Sequence, residues 1–86
     1  MPISAPNPFG SAAFTPAASG TNNSGRIMTI SVDMAANSGA TVTANGVTVL
    51  NAPAIAQSIS FTFWVFPNQT WAIVAASGIR TIAGLT

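Results

Sequence analysis

QSISFTFWVFPNQTWAIVAA, residues 57–76, is the stretch whose reading decides the fold. Ile59, Phe61, Phe63 and Val65 occupy alternate positions, with Ser58, Ser60 and Thr62 between them, which predicts a β-strand with one apolar and one polar face. The alternation fails at Trp64 and Phe66, where large aromatics stand on the polar side, so both faces need cover at the end of this strand. Pro67, Asn68, Gln69 and Thr70 supply a turn. After it Trp71, Ile73 and Ala75 alternate with Ala72, Val74 and Ala76, all apolar, the pattern of a strand covered on both sides. A lone domain of this size has little with which to cover a second face. That leaves partner chains to do it, and the expectation is a self-associating β module.

Composition bounds the possibilities. The chain has 86 residues, and with a proline-rich first part unsuited to a core the folding unit is nearer to about 60. A unit of that size buries only about 60% of the surface its unfolded form exposes and usually needs a staple. There is no Cys and no His, hence no disulfide and no thiolate metal site, and oligomerisation is the staple that remains. The lack of Cys also fits synthesis in a reducing compartment. Asp33, Arg26 and Arg80 are the only charged side chains, 3% of the chain against a usual share of roughly 25%. Soluble monomers are kept apart by surface charge. A chain that is 49% hydrophobic without that protection reads as an assembly subunit. Its pI of 9.3 comes from two arginines and is no basic patch, so neither nucleic acid nor an anionic membrane is an expected partner.

No targeting segment is expected, since Met1-Pro2-Ile3-Ser4 has neither a positive n-region nor an apolar h-region. The sequons Asn22-Asn23-Ser24 and Asn68-Gln69-Thr70 are read as chance matches. Residues 59–79 are long enough to span a bilayer, yet Ser60, Thr62 and the Pro67 turn interrupt them and their period is two, which argues against a membrane helix.

Along the chain, residues 1–25 hold prolines at positions 2, 6, 8 and 16 and end in a run of small polar residues, the chemistry of an extended arm outside the ladder. Its large apolar groups, Phe9 and Phe14, make sense as anchors that drop into pockets elsewhere. Residues 26–86 are expected to form the β-sandwich domain. Met28, Ile30, Val32 and Met34 alternate with Thr29, Ser31 and Asp33 in a first strand with Asp33 on its polar face. Asn45-Gly46 between alternating segments is a type I′ hairpin turn. It pairs Ala44 with Val47, Thr43 with Thr48 and Val42 with Val49, placing Val42, Ala44, Val47 and Val49 inward and the threonines outward. Ser77-Gly78 turns the chain into a short last strand. About six strands, no helix and turns at roughly ten-residue intervals define an all-β protein, a small antiparallel β-sandwich or jelly roll with an extended N-terminal arm.

Chemistry is hard to place on these residues. Nucleophilic catalysis needs a base, and without His or Lys the hydroxyls have none. One acid cannot form a carboxylate pair, and no set of metal ligands is present. The expectation is a non-enzymatic protein without cofactor or metal. Trp64, Phe66 and Trp71 cluster around one turn and are read as a subunit interface, with stacking on a carbohydrate or a base as the alternative. A salt bridge from Arg80 to Asp33, of the same chain or of a neighbouring one, is a further expectation.

The order of strand, Ala44-Asn45-Gly46-Val47 hairpin, Ser/Thr-rich strand, Val65-Phe66-Pro67 turn, Trp71-Ala72-Ile73-Val74 and short final strand resembles small β-sandwich modules of tailed-bacteriophage virions. In those modules a V-N-G-V hairpin precedes V-P-x-G-x-x-Y-x-V, a glycine turn and an ending like W-x-E-L. Here Asn68-Gln69 stand where the glycine would fall, Trp71 replaces the tyrosine, and the ending Ala83-Gly84-Leu85-Thr86 lacks the tryptophan and the acid. The resemblance implies a part of the phage particle, made in the host cytoplasm and of the kind that forms trimeric capsid decorations, head fibres or tail-fibre tips. The expected function is a capsid decoration (cement) protein. It would trimerise and tie neighbouring major capsid subunits through the arm, with Pro6, Pro8, Phe9 and Phe14 in contact with the shell. The alternative is a head-fibre or tail-fibre module that binds host glycan through Trp64 or Trp71.

Overall fold

The computed structural model describes residues 9–76 and 78–86. Eight strands follow one another: β1 (Ala13–Phe14), β2 (Ser19–Thr21), β3 (Met28–Ala35), β4 (Ala40–Ala44), β5 (Val47–Ala52), β6 (Ser58–Val65), β7 (Thr70–Ala75) and β8 (Ile79–Leu85). They form two antiparallel four-stranded sheets, ordered β1-β8-β3-β6 and β2-β7-β4-β5. The all-β sandwich expected from the sequence is therefore present, with eight strands rather than about six. No helix among the described residues is long and apolar enough to cross a membrane.

Short reversals stack the two sheets. The Gly39 N–H donates to the Ala36 carbonyl at 3.0 Å, and the Gly78 N–H donates to that of Ala75 at 2.9 Å. Each glycine has positive φ, 88° and 101°, a conformation that costs glycine little. Ser77, expected as part of the second turn, lies outside the described residues. These two turns fold β3 onto β4 and β7 onto β8 at the same end of the molecule. As a result β6 and β5 end the two sheets on one flank and β1 and β2 end them on the other, with β6 meeting β4 across the sheets. At the opposite end Pro67 and Asn68 (φ 65°) make the expected turn, closed by a 3.0 Å bond from the Gln69 N–H to the Phe66 carbonyl. Proline followed by a residue of positive φ is the signature of a type II turn.

The core forms where the inward rows of the two sheets meet. Met28, Ile30, Val32 and Met34 of β3 and Phe63 and Val65 of β6 pack against Ala40, Val42, Ala44, Ala52, Trp71 and Ile73. Ile30, Met34, Val42 and Val65 are fully buried, each stabilising the fold by about 1.5–3 kcal/mol. Both alternating patterns read from the sequence, in β3 and in β6, hold in this core. The polar row of β3 turns outward, where Ser31 Oγ and Thr62 Oγ1 share a 3.0 Å hydrogen bond across strands.

Two expectations about the hairpin are corrected. Ala44 pairs with Val47 and Thr43 with Thr48, as the Asn45-Gly46 turn (φ 57° and 79°) dictates, but Val42 pairs with Leu50 rather than Val49. A β-bulge at Val49 shifts the register. Leu50 takes the half-buried inward position, Val49 is 38% exposed and Val47 is 58% exposed. Val47 opens the edge strand β5 directly after the hairpin turn. On β7 the second face is the one the sequence reading left to partner chains. Trp71 and Ile73 are buried, but Val74 on the other face is 63% exposed.

Residues 9–25 are extended, yet they run along the body of their own chain. Ala13 and Phe14 pair with Leu85 and Gly84, and Ser19, Gly20 and Thr21 pair with Ala72, Trp71 and Thr70. Proline forbids a ladder bond only at its own position, and these two short strands fit around a buried Pro16. Two aromatic–glycine matches hold the strap. The Phe14 ring lies on Gly84, and the Trp71 ring lies on Gly20, where an added Cβ would come within 2.7 Å of Trp71 Cη2. Trp71 Nε1 donates to the Ala17 carbonyl at 3.0 Å, satisfying the polar edge of a buried indole.

Candidate interaction surface

Both flanks end in edge strands, short ones of two and three residues on the strap side and longer ones of six and eight on the other. On the strap side β1 and β2 lie along β8 and β7. On the other side β6 and β5 are both edge strands, and the segment 53–57 joins them. Ile59 and Phe61 point inward but are only partly buried. Phe61 stacks on Phe63, with ring centroids 5.9 Å apart and planes inclined by 23°. Val47, Val49 and Ile55 (55%) stand exposed along the same flank. None of the residues in β5 or β6 is charged. Edge strands of soluble monomers are commonly guarded by Lys, Pro or inward charges, and β6 has none of these.

An aromatic patch crowns one end of this flank. Trp64 is 53% and Phe66 47% exposed. Phe9 meets Trp64 edge to face, centroids 5.4 Å apart at 67°. Register places Trp64, Thr29 and Leu85 in one row across the outer face of the sheet. The rest of that face is short and polar: Ser31 beside Thr62, then Asp33 between Ser60 and Thr81. Within the chain Arg80 does not bridge to Asp33 but donates from Nη1 to Ser58 Oγ at 2.5 Å.

Of the sequence-derived site residues, the structure brings Phe9 and Trp64 together and leaves Phe66 exposed nearby in sequence. It places Phe14 and Trp71 inside the strap contact, where Trp71 is only 7% exposed and unavailable to a neighbouring subunit. Pro6 and Pro8 lie outside the described residues.

Two asparagines carry weight that the sequence reading missed. Asn22 is fully buried, and every polar group it has is paired. Its Nδ2 donates to the carbonyls of Arg26 (2.7 Å) and Val65 (2.8 Å), and its Oδ1 accepts from Ser24 N (3.0 Å) and Ser24 Oγ (2.7 Å). Its N–H donates to the Gln69 carbonyl at 2.8 Å, and its own carbonyl accepts from Asn68 N at 2.7 Å. Reading Asn22 only as part of a sequon hid this role. The Asx-turn pattern Asn-x-Ser was the available signal.

Asn45 does more than supply positive φ. Its Nδ2 donates to the Trp64 carbonyl at 3.0 Å and its Oδ1 accepts from Phe66 N at 2.8 Å. The carboxamide thus occupies the edge of β6 as the peptide of a next strand would. Asn45→Gly keeps the turn conformation but removes both bonds, and a loss of about 1–2 kcal/mol in urea unfolding is expected. An unchanged midpoint would show that these bonds add nothing.

Fold and surface together define a small two-sheet antiparallel β module with one unsealed flank. No family model matches the chain, and comparisons with curated proteins and with solved structures also give no match.

Proposed function

We propose that this chain is a non-enzymatic structural protein of a bacteriophage particle, a capsid decoration protein that self-associates and binds the shell. The observation that carries the reading is the open β5–β6 flank, with Val47, Val49 and Ile55 exposed on a chain holding three charged side chains. Such a surface favours permanent burial in an assembly over life as a free monomer. The resemblance to virion β-sandwich modules supplies the kind of assembly. Because residues 9–25 belong to the sandwich, the shell contact is assigned to the segment carrying Pro6 and Pro8 together with the Phe9–Trp64 patch that it adjoins in the chain. Phe14 is withdrawn from that contact, since it packs on Gly84.

Particles purified on a density gradient and separated into heads and tails provide the test. The protein is expected with the heads in stoichiometric amount. Its recovery only from the soluble lysate would overturn the proposal. A second reading, a fibre module that binds glycan, draws on the exposed Trp64 ring beside a hydroxyl-rich face. It predicts fractionation with tails or head fibres and glycan-array binding that Trp64→Ala abolishes.

A further inference from the structure

We propose that the free edge of β6 is a self-complementary interface, at which a second copy of this chain adds its own β6 antiparallel about Ser60. The inference rests on the assembly reading above and names the surface that assembly uses. Neighbouring residues of a strand direct their main-chain groups to opposite edges. The Gln57 carbonyl accepts from Ala36 N on the β3 side, whereas the Trp64 carbonyl and the Phe66 N–H face the other way, to Asn45. Ser58, Ser60 and Thr62 have the parity of Trp64, so their N–H and C=O groups point out of the sheet. Among the described residues nothing pairs with them.

Asn45 fixes the register. Its carboxamide closes the edge at Trp64 and Phe66, so an incoming strand has only the Ser58–Thr62 portion left to pair with. An antiparallel copy centred on Ser60 uses that portion fully: Ser60 opposes Ser60 of the second copy, and Ser58 opposes its Thr62. The same register sets Phe61 beside the second copy's Ile59, covering the two inward residues that the single chain leaves half-buried. Pairing and apolar cover therefore agree on one centre.

The portion left to pair, Ser58–Thr62, is about 17 Å long. Across the 18 Å shortest extent of the body it gives a flat footprint on the order of 300 Å². That is small beside the roughly 800 Å² per partner of a standard interface, so main-chain pairing and the cover of Ile59 and Phe61 carry the contact. Charge fits a second copy. Neither β5 nor β6 carries a charge, and the nearest charges, Asp33 beside Ser60 and Arg80 on Ser58 Oγ, are of opposite sign, so two identical flanks meet without net repulsion.

The chain has no cysteine, so single cysteines report the register directly. Oxidised Ser60→Cys is expected to give a covalent dimer, since opposed residues of a hydrogen-bonded pair lie about 5.5 Å apart, within the disulfide range. Ser58→Cys alone is expected not to cross-link, but to do so when mixed with Thr62→Cys. Light scattering of the unmodified protein at tens of micromolar is expected to give twice the 8.6 kDa chain mass. Ser60→Pro removes an N–H that the chain's own ladder does not use, at an edge position that tolerates proline. It is expected to leave the β spectrum intact and to raise the dimer dissociation constant roughly 100-fold. A monomer, a trimer, or Ser58→Cys cross-linking as readily as Ser60→Cys would overturn this interface. The particle fractionation decides the virion reading separately: a trimer that travels with heads would sink the β6 pairing and leave the function standing.

Discussion

Replacing Asn22 by aspartate is expected to cost about 4 kcal/mol at neutral pH, a large part of what holds a chain of this length folded. The two side chains have nearly the same shape, so packing is not the cause. Asn22 Nδ2 donates to two carbonyls, those of Arg26 and Val65, and the site has no water-exposed surface. A carboxylate there would present a lone pair and a negative charge to both oxygens, losing two bonds and adding repulsion in a poorly screened place. The Oδ1 side fares better, because Ser24 N and Ser24 Oγ still donate to it. Protonation restores one donor, which sets the sign of the pH dependence. Burial and the facing carbonyls raise the folded-state pKa of the new aspartate above its unfolded value of about 3.9. The folded state then holds the proton more tightly, so the variant is least impaired below that value. It loses stability as pH rises from there through the raised folded pKa. Thermal melts should show a drop of at least roughly 15 °C at pH 7 and a smaller one at pH 4. Asn23→Asp, at the exposed neighbouring position, should be nearly silent. Equal melting of Asn22→Asp and the parent at pH 7 would refute the role given to this side chain.

Asn22 also marks where sequence reading stops. The alternations at Met28–Met34 and at Ile59–Val65 were legible because a half-buried strand imposes a period of two on any chain that forms it. Asn45-Gly46 and Pro67-Asn68 were legible because positive φ admits few residue types. The bulge at Val49 was not legible. Both Val49 and Leu50 are apolar, so a one-residue slip leaves the pattern unchanged, and only the facing strands decide which of them points inward. The site of Trp71 was hidden for a different reason. Its neighbours Ala72, Ile73 and Val74 suggest cover on both faces, but what receives its ring is Gly20, far away in sequence. Small residues opposite large ones form a signal only once the pairing is known. The same holds for Phe14 and Gly84. Of the candidate site, the exposure of Trp64 followed from a break in its own strand's alternation, whereas the open flank followed from which strands end up at the edges.

Deleting residues 1–25 is expected to abolish cooperative folding, although the proline-rich composition of that segment suggests a dispensable arm. The deletion removes β1 and β2 and with them the ladder partners of Leu85, Gly84, Ala72, Trp71 and Thr70. It strips Trp71 of its cover and its indole N–H of the Ala17 carbonyl. It also takes away Asn22, leaving the main-chain groups of Val65, Asn68 and Gln69 without the partners they have now. Exposing one buried tryptophan alone costs about 3–5 kcal/mol by analogy with truncation to alanine. That approaches the whole stability of a chain this short, roughly 4–13 kcal/mol. The truncated protein should therefore show no cooperative melt, weak near-ultraviolet circular dichroism and strong binding of a hydrophobic dye. A synthetic peptide spanning residues 9–25 should restore the native spectrum by re-adding two edge strands in trans, as strand addition does elsewhere. Rescue by the peptide separates loss of these contacts from a general intolerance of shortening. If the truncated chain melts like the parent, the strap is an ornament and both the sealed flank and the contrast with the open one lose their physical basis. If it collapses and the peptide repairs it, one flank of this sandwich is covered from within by two short strands, and β6, with eight residues, is left as the longest edge strand open to a partner.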